Sequence, residues 1–242
     1  MCATGLDFLI SGITSDTTQQ PRNSVFTSVF STTKNPVSWE QSKHHRWKLE
    51  KYQIERYGLQ QELDVSREWW EQIDVSQREC KFFVFRHGAC LAPLVCEDLA
   101  RIDPVQTAIR AVGPNLVVAL LMDGPQLENR WSGRYATVLA DDPGCSVLSF
   151  TSLGLIARQA HRDGGTDSRI ALWRQPYDRT KELVLPWGQH ALLLRLSEEW
   201  SEHILPDGRS DRTTTARYRF KSVLPIRHPS PPSWIDGCMT QK

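Results

Sequence analysis

Cys96 is the first candidate for a chemical role, because it ends an apolar run and is followed at once by two acidic residues, Glu97 and Asp98. A strand before it and a helix after it would place its sulfur near a helix N-terminus, where the thiolate form is stabilised. A thiolate can attack a carbonyl or nitrile carbon and form a covalent intermediate. On position alone a core role is favoured, since unpaired cysteines are among the most buried residues.

Lys43 is the second candidate, in a segment that is both basic and aromatic. Trp39 and Trp47 flank it and could hold its aliphatic stem among apolar rings. A lysine beside an acylated sulfur supplies positive charge where a carbonyl oxygen becomes negative. The same cations could instead form a solvated basic face, and Lys48 is a rival to Lys43 because the register is loose.

Other polar clusters have less chemical promise. The seven histidines form no H-x-x-x-H or H-E-x-x-H pair, so we predict no metal site. The chain has no G-x-G-x-x-G or P-loop pattern, and we predict no cofactor. Trp69-Trp70, with Glu68 and Glu71 on either side, could line a pocket, but adjacent aromatics among charges are more typical of a partly buried helix edge.

Apolar periodicity predicts the elements that would position these residues. Helices are expected at 104–112, behind the capping residue Asp103, at 128–140, and as a short one within 41–59. Cys96 then lies between a strand and a helix, and this alternation is typical of an α/β or α+β fold. Strands are predicted at 7–13, 23–30, 81–85, 89–96, 115–122, 145–153 and 169–174, with a strand pair at 181–185 and 189–196.

The stretch Leu94-Val95-Cys96-Glu97-Asp98-Leu99, with Arg101 just beyond it, resembles the nucleophile turn of the nitrilase, or carbon–nitrogen hydrolase, superfamily. The resemblance continues through the strand that follows Gly113 and through the tryptophan-containing helix at 131–140. Upstream, Gln41-Ser42-Lys43-His44-His45 resembles the element that supplies the family's catalytic lysine. Together these matches cover residues 5 to 197, approximately.

The resemblance implies a thiol-dependent carbon–nitrogen hydrolase, an amidase or nitrilase acting on a small amide or nitrile. Cys96 would be its nucleophile. Lys43 and the backbone N–H of Glu97 would stabilise the oxyanion, and Trp131 would contact the substrate.

The chain departs from the family's pattern at one catalytic position. The family's general base is a glutamate upstream of the strand at 7–13, and no residue before Asp7 is acidic. Glu55, or alternatively Glu50, is similar in position to a second acidic residue that follows the family's lysine. We therefore expect a nitrilase-like four-layer α-β-β-α sandwich over residues 1–200 that lacks its first strand and helix. Homo-oligomerisation is left open, since family members associate through their layers.

Two other functions stay open. One is a catalytically incomplete nitrilase-like module, or a fragment of a larger multidomain protein such as a fusion to a reverse transcriptase. The other is a Cys–His hydrolase in which Cys96 pairs with His161 or His190, a chain order that papain-type enzymes allow. A lysine beside the Cys96 sulfur would favour the nitrilase interpretation, and a histidine the Cys–His interpretation.

The composition of the 242 residues points to a cytoplasmic protein. Six cysteines are scattered without a C-x-x-C pair, which fits a reducing compartment. No run of apolar residues is long enough to span a membrane. A formal net charge of +1 makes nucleic acid an unlikely partner for this segment. Residues 201–242 are rich in Pro, Ser and Arg, which predicts an irregular C-terminal tail.

Overall fold

The computed structural model describes residues 7–15, 21–30, 35–85, 88–157 and 167–231, except for the side chains of 15 and 211–215. The chain begins with strands β1 (Phe8–Ser15), β2 (Arg22–Val29), β3 (Val37–Ser42) and β4 (Lys48–Leu49), helix α1 (Lys51–Tyr57), and strands β5 (Trp69–Trp70), β6 (Phe83–Phe85) and β7 (Ala89–Val95). Two irregular helical turns follow, at Cys96–Ala100 and Ile102–Gln106.

The second part of the chain alternates helices and strands before it ends in two long strands. It contains helix α2 (Thr107–Val112), strand β8 (Leu116–Leu120), helix α3 (Trp131–Asp141), and strands β9 (Ser146–Phe150), β10 (Arg169–Arg174), β11 (Lys181–Val184), β12 (Ala191–Ile204) and β13 (Ser210–Ile226). The longest described helix, α3, has 11 residues. Within the described ranges, no helix is long and apolar enough to cross a membrane.

A six-stranded mixed sheet forms the centre of the fold, in the order β11-β10-β9-β8-β7-β6. Strands β7, β8 and β9 run parallel, and the remaining neighbours are antiparallel. Parallel neighbours need a crossover connection, and α2 and α3 lie in the two connections. Strand β8 is apolar along its whole length, as a strand covered on both faces requires.

The two faces of this sheet have different covers. Helical residues such as Ile109 and Leu139 are buried on one face, against apolar side chains of β7, β8 and β9. On the opposite face, Phe8 of β1 and Phe220 of β13 pack around the fully buried Trp173. The described layers are therefore helices, the six-stranded sheet, and a cover formed by a second sheet together with the β12–β13 pair. This arrangement confirms the mixed α/β class predicted from the sequence.

The second sheet contains β1, β2 and β3 in antiparallel order. Strand β3 was not apparent in the apolar pattern, because it is short and mostly polar. Its buried Gln41 joins the two sheets: the side-chain amide donates to the carbonyl of Pro93 in β7 at 2.9 Å and accepts from the Lys81 N–H at 2.6 Å. Lys43 comes two residues later, so this bridge brings its segment beside the end of β7.

The C-terminal region differs from the prediction in two ways. Strands β12 and β13 pair with each other in a long antiparallel hairpin, while β11 pairs with β10. The sequence instead predicts a pairing of 181–185 with 189–196 and an irregular chain from 201 onward. The hairpin forms because Ala216, Tyr218 and Phe220 alternate with polar residues and give β13 one apolar face. Its many Arg, Ser and Thr residues mask that pattern.

Candidate functional site

Cys96 lies directly after β7, on a turn with unusual backbone geometry. Its φ is 47°, in the left-handed region that residues other than glycine rarely adopt. Holding such a conformation costs about 1–3 kcal/mol, which surrounding structure must supply. The backbone N–H of Met122, just beyond β8, donates to the Cys96 sulfur. The regular helix α2 begins only at Thr107.

The thiol of Cys96 is protonated at neutral pH. Burial raises the pKa of the Cys96 thiol to about 11, although the charge of Lys43 and the Met122 N–H both lower it. The carboxylates of Asp123 and Glu97 raise the pKa further. The stabilised thiolate that the strand–cysteine–helix order suggests is therefore absent from the free protein, because desolvation outweighs the nearby cation.

Lys43 is almost completely buried, with a side-chain exposure of 2%. Its backbone N–H donates to the Asn23 carbonyl at 2.7 Å, which fixes it to β2. Its ammonium donates to the carboxylate of Glu71 in an ion pair. A buried lysine needs such a partner, because an unpaired charge there would cost several kcal/mol.

The buried carboxylate of Asp98 ties the Lys43 segment to the Cys96 turn. It accepts hydrogen bonds from the backbone N–H groups of His44 and His45 and from the His45 ring, all at 3.0 Å. Asp98 is two residues after Cys96, and His44 directly follows Lys43. The acidic residue that follows the cysteine by two positions therefore sets the distance between nucleophile and lysine.

Glu71 is the acidic residue that sequence reasoning missed. One of its oxygens accepts from the Asn23 amide at 3.1 Å, and the other accepts from the Trp47 N–H at 3.0 Å and from Lys43. The only hint in the sequence was the Trp69-Trp70 pair beside it, which we interpreted as a helix edge. That pair is instead the short strand β5, paired with β4.

Glu55 and the rival residues lie elsewhere. Helix α1 buries Ile54 and leaves the neighbouring Glu55 facing solvent. The Glu55 carboxylate lies 3.9 Å from the Lys51 ammonium, one helical turn earlier. Glu50 caps α1 and pairs with Lys48, whose ammonium also contacts Glu68. The prediction that Glu55 belongs to the site is therefore corrected: Glu71 contacts the lysine, and Glu55 does not.

Cys96, Lys43 and Glu71 line one cavity of about 310 Å³. Glu97 and Trp131, the predicted oxyanion and substrate-contact residues, line it as well. Its remaining walls are mostly aromatic or aliphatic, and they are formed by Asn23, Trp47, Arg56, Tyr57, Leu59, Met122, Asp123, Gly124 and Leu155. The volume and the apolar walls fit a small organic molecule, with a few polar groups to orient it.

Asp123 organises another part of the cavity wall. It accepts from Arg130 at 2.7 Å, from the Trp131 indole at 2.9 Å and from the Gly124 N–H at 2.7 Å. The indole bond orients the Trp131 ring within the cavity wall. The hydroxyl of Tyr57 lies 3.5 Å from the same carboxylate, and burial raises the pKa of Tyr57.

Within the described ranges, no histidine lines the cavity. The His44 ring bonds to the Glu79 carbonyl and the His45 ring to Asp98, and His190 accepts from the His228 N–H at the open end of the β12–β13 hairpin. His161 lies outside the described residues. The described residues also contain no group of three or more His, Cys, Asp or Glu that could hold a metal ion.

Comparisons with known proteins found similarity to solved structures only. No protein-family model matches the sequence, and no curated protein does. A glutamine-dependent NAD+ synthetase from Acinetobacter baumannii is similar over 69% of this chain and 27% of its own, with 15% identity and a TM-score of 0.39. The Nesterenkonia AN1 amidase from the nitrilase superfamily is similar over 73% of this chain and 57% of its own, with 12% identity and a TM-score of 0.45.

This chain spans about a quarter of the synthetase and somewhat more than half of the amidase. Both TM-scores are below 0.5 and both identities are low. The role assigned to each residue of this chain therefore depends on the geometry of its own cavity.

Proposed function

We propose that this chain is a thiol-dependent hydrolase of carbon–nitrogen bonds in a small amide or nitrile, with Cys96 as the nucleophile. The observation that carries the proposal is the presence of Cys96, Lys43 and Glu71 in the wall of one cavity. Those three side chains supply a nucleophile, a cation and a proton acceptor, which are the groups that acyl transfer through a thiol needs.

The neutral thiol requires a base, and Glu71 is the carboxylate that we assign to this step. Proton transfer from Cys96 to Glu71 leaves Lys43 beside a thiolate in place of a carboxylate. The transfer therefore exchanges one partner of a buried cation for another and leaves no charge unpaired. Protonation of Asp123 or Glu97 would instead take the carboxylate partner from an arginine, Arg130 or Arg101, with which each forms an ion pair.

The thiolate then adds to the carbonyl or nitrile carbon. The ammonium of Lys43 and the backbone N–H of Glu97 stabilise the charge that develops on the substrate oxygen or nitrogen, and each such donor contributes about 3–4 kcal/mol. Loss of ammonia or an amine leaves an acyl-enzyme, which water hydrolyses to the acid. A nitrile passes through a thioimidate instead.

The test is mass spectrometry of the intact protein after incubation with a panel of small amides and nitriles. We expect an acyl adduct on Cys96, and its loss in Cys96→Ala. Cys90→Ala is the matched control, because Cys90 is half-buried and does not line the cavity. Glu71→Gln keeps the hydrogen-bonding shape of the side chain but removes the base, so adduct formation should slow by ~10²–10⁴-fold.

Glu55→Gln is the control for Glu71→Gln and should leave the rate unchanged, since Glu55 faces solvent. The proposal fails if no substrate gives an adduct, or if the adduct persists in Cys96→Ala. An absence of adducts from a folded protein would favour the alternative of a catalytically incomplete module.

A further inference from the structure

A second cavity, of about 380 Å³, adjoins the first. The two share Trp47, Arg56, Tyr57, Glu97 and Trp131 as lining residues. They are therefore neighbouring parts of one recess, and the second part does not include Cys96. A substrate with its C–N bond at Cys96 can extend past Trp131 and Tyr57 into this space.

The second cavity is rich in cations, and most of them already have carboxylate partners. Arg101 pairs with Glu97 and Arg130 with Asp123, both at 2.7 Å. Lys48 lies within 2.8 Å of two glutamates, Glu50 and Glu68.

Arg56 is the exception. Among the described residues its guanidinium donates to the Tyr52 hydroxyl at 3.2 Å, and the centre of the Tyr52 ring lies 5.9 Å away. No carboxylate in the described ranges pairs with it. Arg56 is also half-exposed and lines both cavities, so its free N–H groups are accessible from the recess.

The charges around the first cavity balance without Arg56. Each carboxylate in its wall has its own cation: Glu71 has Lys43, and Glu97 and Asp123 have arginines. Arg56 is therefore the cation in this recess that has no carboxylate partner among the described residues. A guanidinium with free N–H groups matches the planar pair of oxygens on a carboxylate or the oxygens of a phosphoryl group.

From this unpaired guanidinium we infer that the second cavity binds the anionic end of the substrate, through Arg56. The substrate class is then a small amide or nitrile that carries a carboxylate or a phosphoryl group at the end remote from the C–N bond. The inference rests on the proposed function for the position of the reacting bond, but the anion site itself is defined by the unpaired arginine.

Binding measurements test the anion site without any turnover. The protein is Cys96→Ala, and calorimetry compares three probes: succinamate, phosphonoacetamide and the neutral butanamide. We expect one anionic probe to bind about tenfold or more tightly than butanamide, the effect of a charged hydrogen-bonded contact. Preference for succinamate indicates a carboxylate substrate, and preference for phosphonoacetamide a phosphoryl one.

A second substitution assigns the preference to Arg56. Arg56→Gln should remove it, Arg56→Lys should retain part of it, and Arg67→Gln should leave it intact because Arg67 is an exposed residue paired with Asp64. Equal binding of all three probes, including no binding of any, overturns the inference. So does a preference that persists in folded Arg56→Gln protein.

Failure of this inference is distinguishable from failure of the proposed function. Anion binding that depends on Arg56, together with no adduct on Cys96 in the wild-type protein, would retain the site and reject the hydrolase. Adducts that form equally with neutral and anionic amides would retain the hydrolase and reject the anion site.

Discussion

At the scale of single residues, the sulfur of Cys96 lies where β7 ends, on a left-handed turn with a φ of 47°. That turn directs the side chain into the cavity and brings it close enough to Lys43 for the lysine charge to act on the thiol. Burial nevertheless keeps the thiol protonated at neutral pH. Reactivity at Cys96 should therefore depend on the base and on substrate binding more than on a resting thiolate.

The protonation state of Cys96 predicts a pH profile. Alkylation by iodoacetamide follows the thiolate fraction. Because the pKa of Cys96 is raised from 9.0 to about 11, the rate in the folded protein should keep rising above pH 9, reach half its maximum near pH 11 and level off only above that pH. Lys43→Met should move the profile to still higher pH, since it removes a charge that lowers the pKa. Peptide mass spectrometry over a pH series measures both.

The same measurement in urea is the control for this profile. In the unfolded chain the alkylation rate of Cys96 should reach half its maximum near the ordinary pKa of 9.0, because burial is lost. A plateau below pH 9 in the folded protein would contradict the structure and would indicate a stabilised thiolate.

At the scale of elements, helix α3 positions Trp131 in the cavity wall, and its start depends on a close backbone contact. A Cβ atom at Gly133 would lie 2.3 Å from the Glu128 carbonyl oxygen and 2.7 Å from that of Leu127. Both neighbours are backbone atoms and cannot move aside as a flexible side chain would. Glycine is therefore required at this position for packing, although it is otherwise unfavourable inside a helix.

Gly133→Ala should consequently destabilise the protein. A glycine-to-alanine change inside a helix ordinarily stabilises it by about 0.5–1 kcal/mol. Here the clash with backbone should reverse the sign and cost about 1–3 kcal/mol. Chemical denaturation gives the free energy of unfolding of both proteins.

Gly154→Ala is the matched control. A Cβ there meets no atom within 4 Å, so this variant should be as stable as the wild type or slightly more stable. A Gly133→Ala protein that matches its control in stability would refute the close contact.

At the scale of the whole molecule, the β12–β13 hairpin is held to the six-stranded sheet by buried polar side chains. Gln175, just after β10, accepts from the Trp173 indole and from the backbone N–H of Phe220, both at 2.8 Å. The Ser146 hydroxyl donates to the Tyr218 carbonyl at 2.7 Å. These bonds link residues distant in sequence and make the hairpin part of the central core.

Gln175→Ala should loosen this attachment. It leaves the buried Trp173 indole and the Phe220 N–H without an acceptor, at a cost of about 1–3 kcal/mol for each buried donor. Hydrogen exchange should accelerate first in the peptides that cover β13. Gln61→Ala, at an exposed position, should change neither stability nor exchange. Unchanged protection of β13 in Gln175→Ala would show that the hairpin is held by other contacts.

The sequence by itself determined the local elements and the fold class. The apolar run of β8, the end of α2 at Gly113 and the amphipathic α3 lie close to their predicted positions, because the periods of strand and helix are properties of neighbouring residues. The predicted start of α2 at 104, behind a capping Asp103, is wrong: Asp103 has a non-helical backbone and the regular helix begins at Thr107. The order of strand, cysteine turn and helix also identified Cys96, and the basic segment upstream identified Lys43 as a candidate.

Only the tertiary structure decided which residues meet. Glu71, not Glu55, contacts Lys43. Strand β5, directly before Glu71, pairs with β4 and so brings Glu71 back beside the lysine, and nothing local in the sequence encodes that pairing. The pairing of β12 with β13 and the raised pKa of Cys96 likewise depend on groups distant in sequence. Contacts of this kind arise from burial in the assembled core, which a pattern of neighbouring residues does not contain.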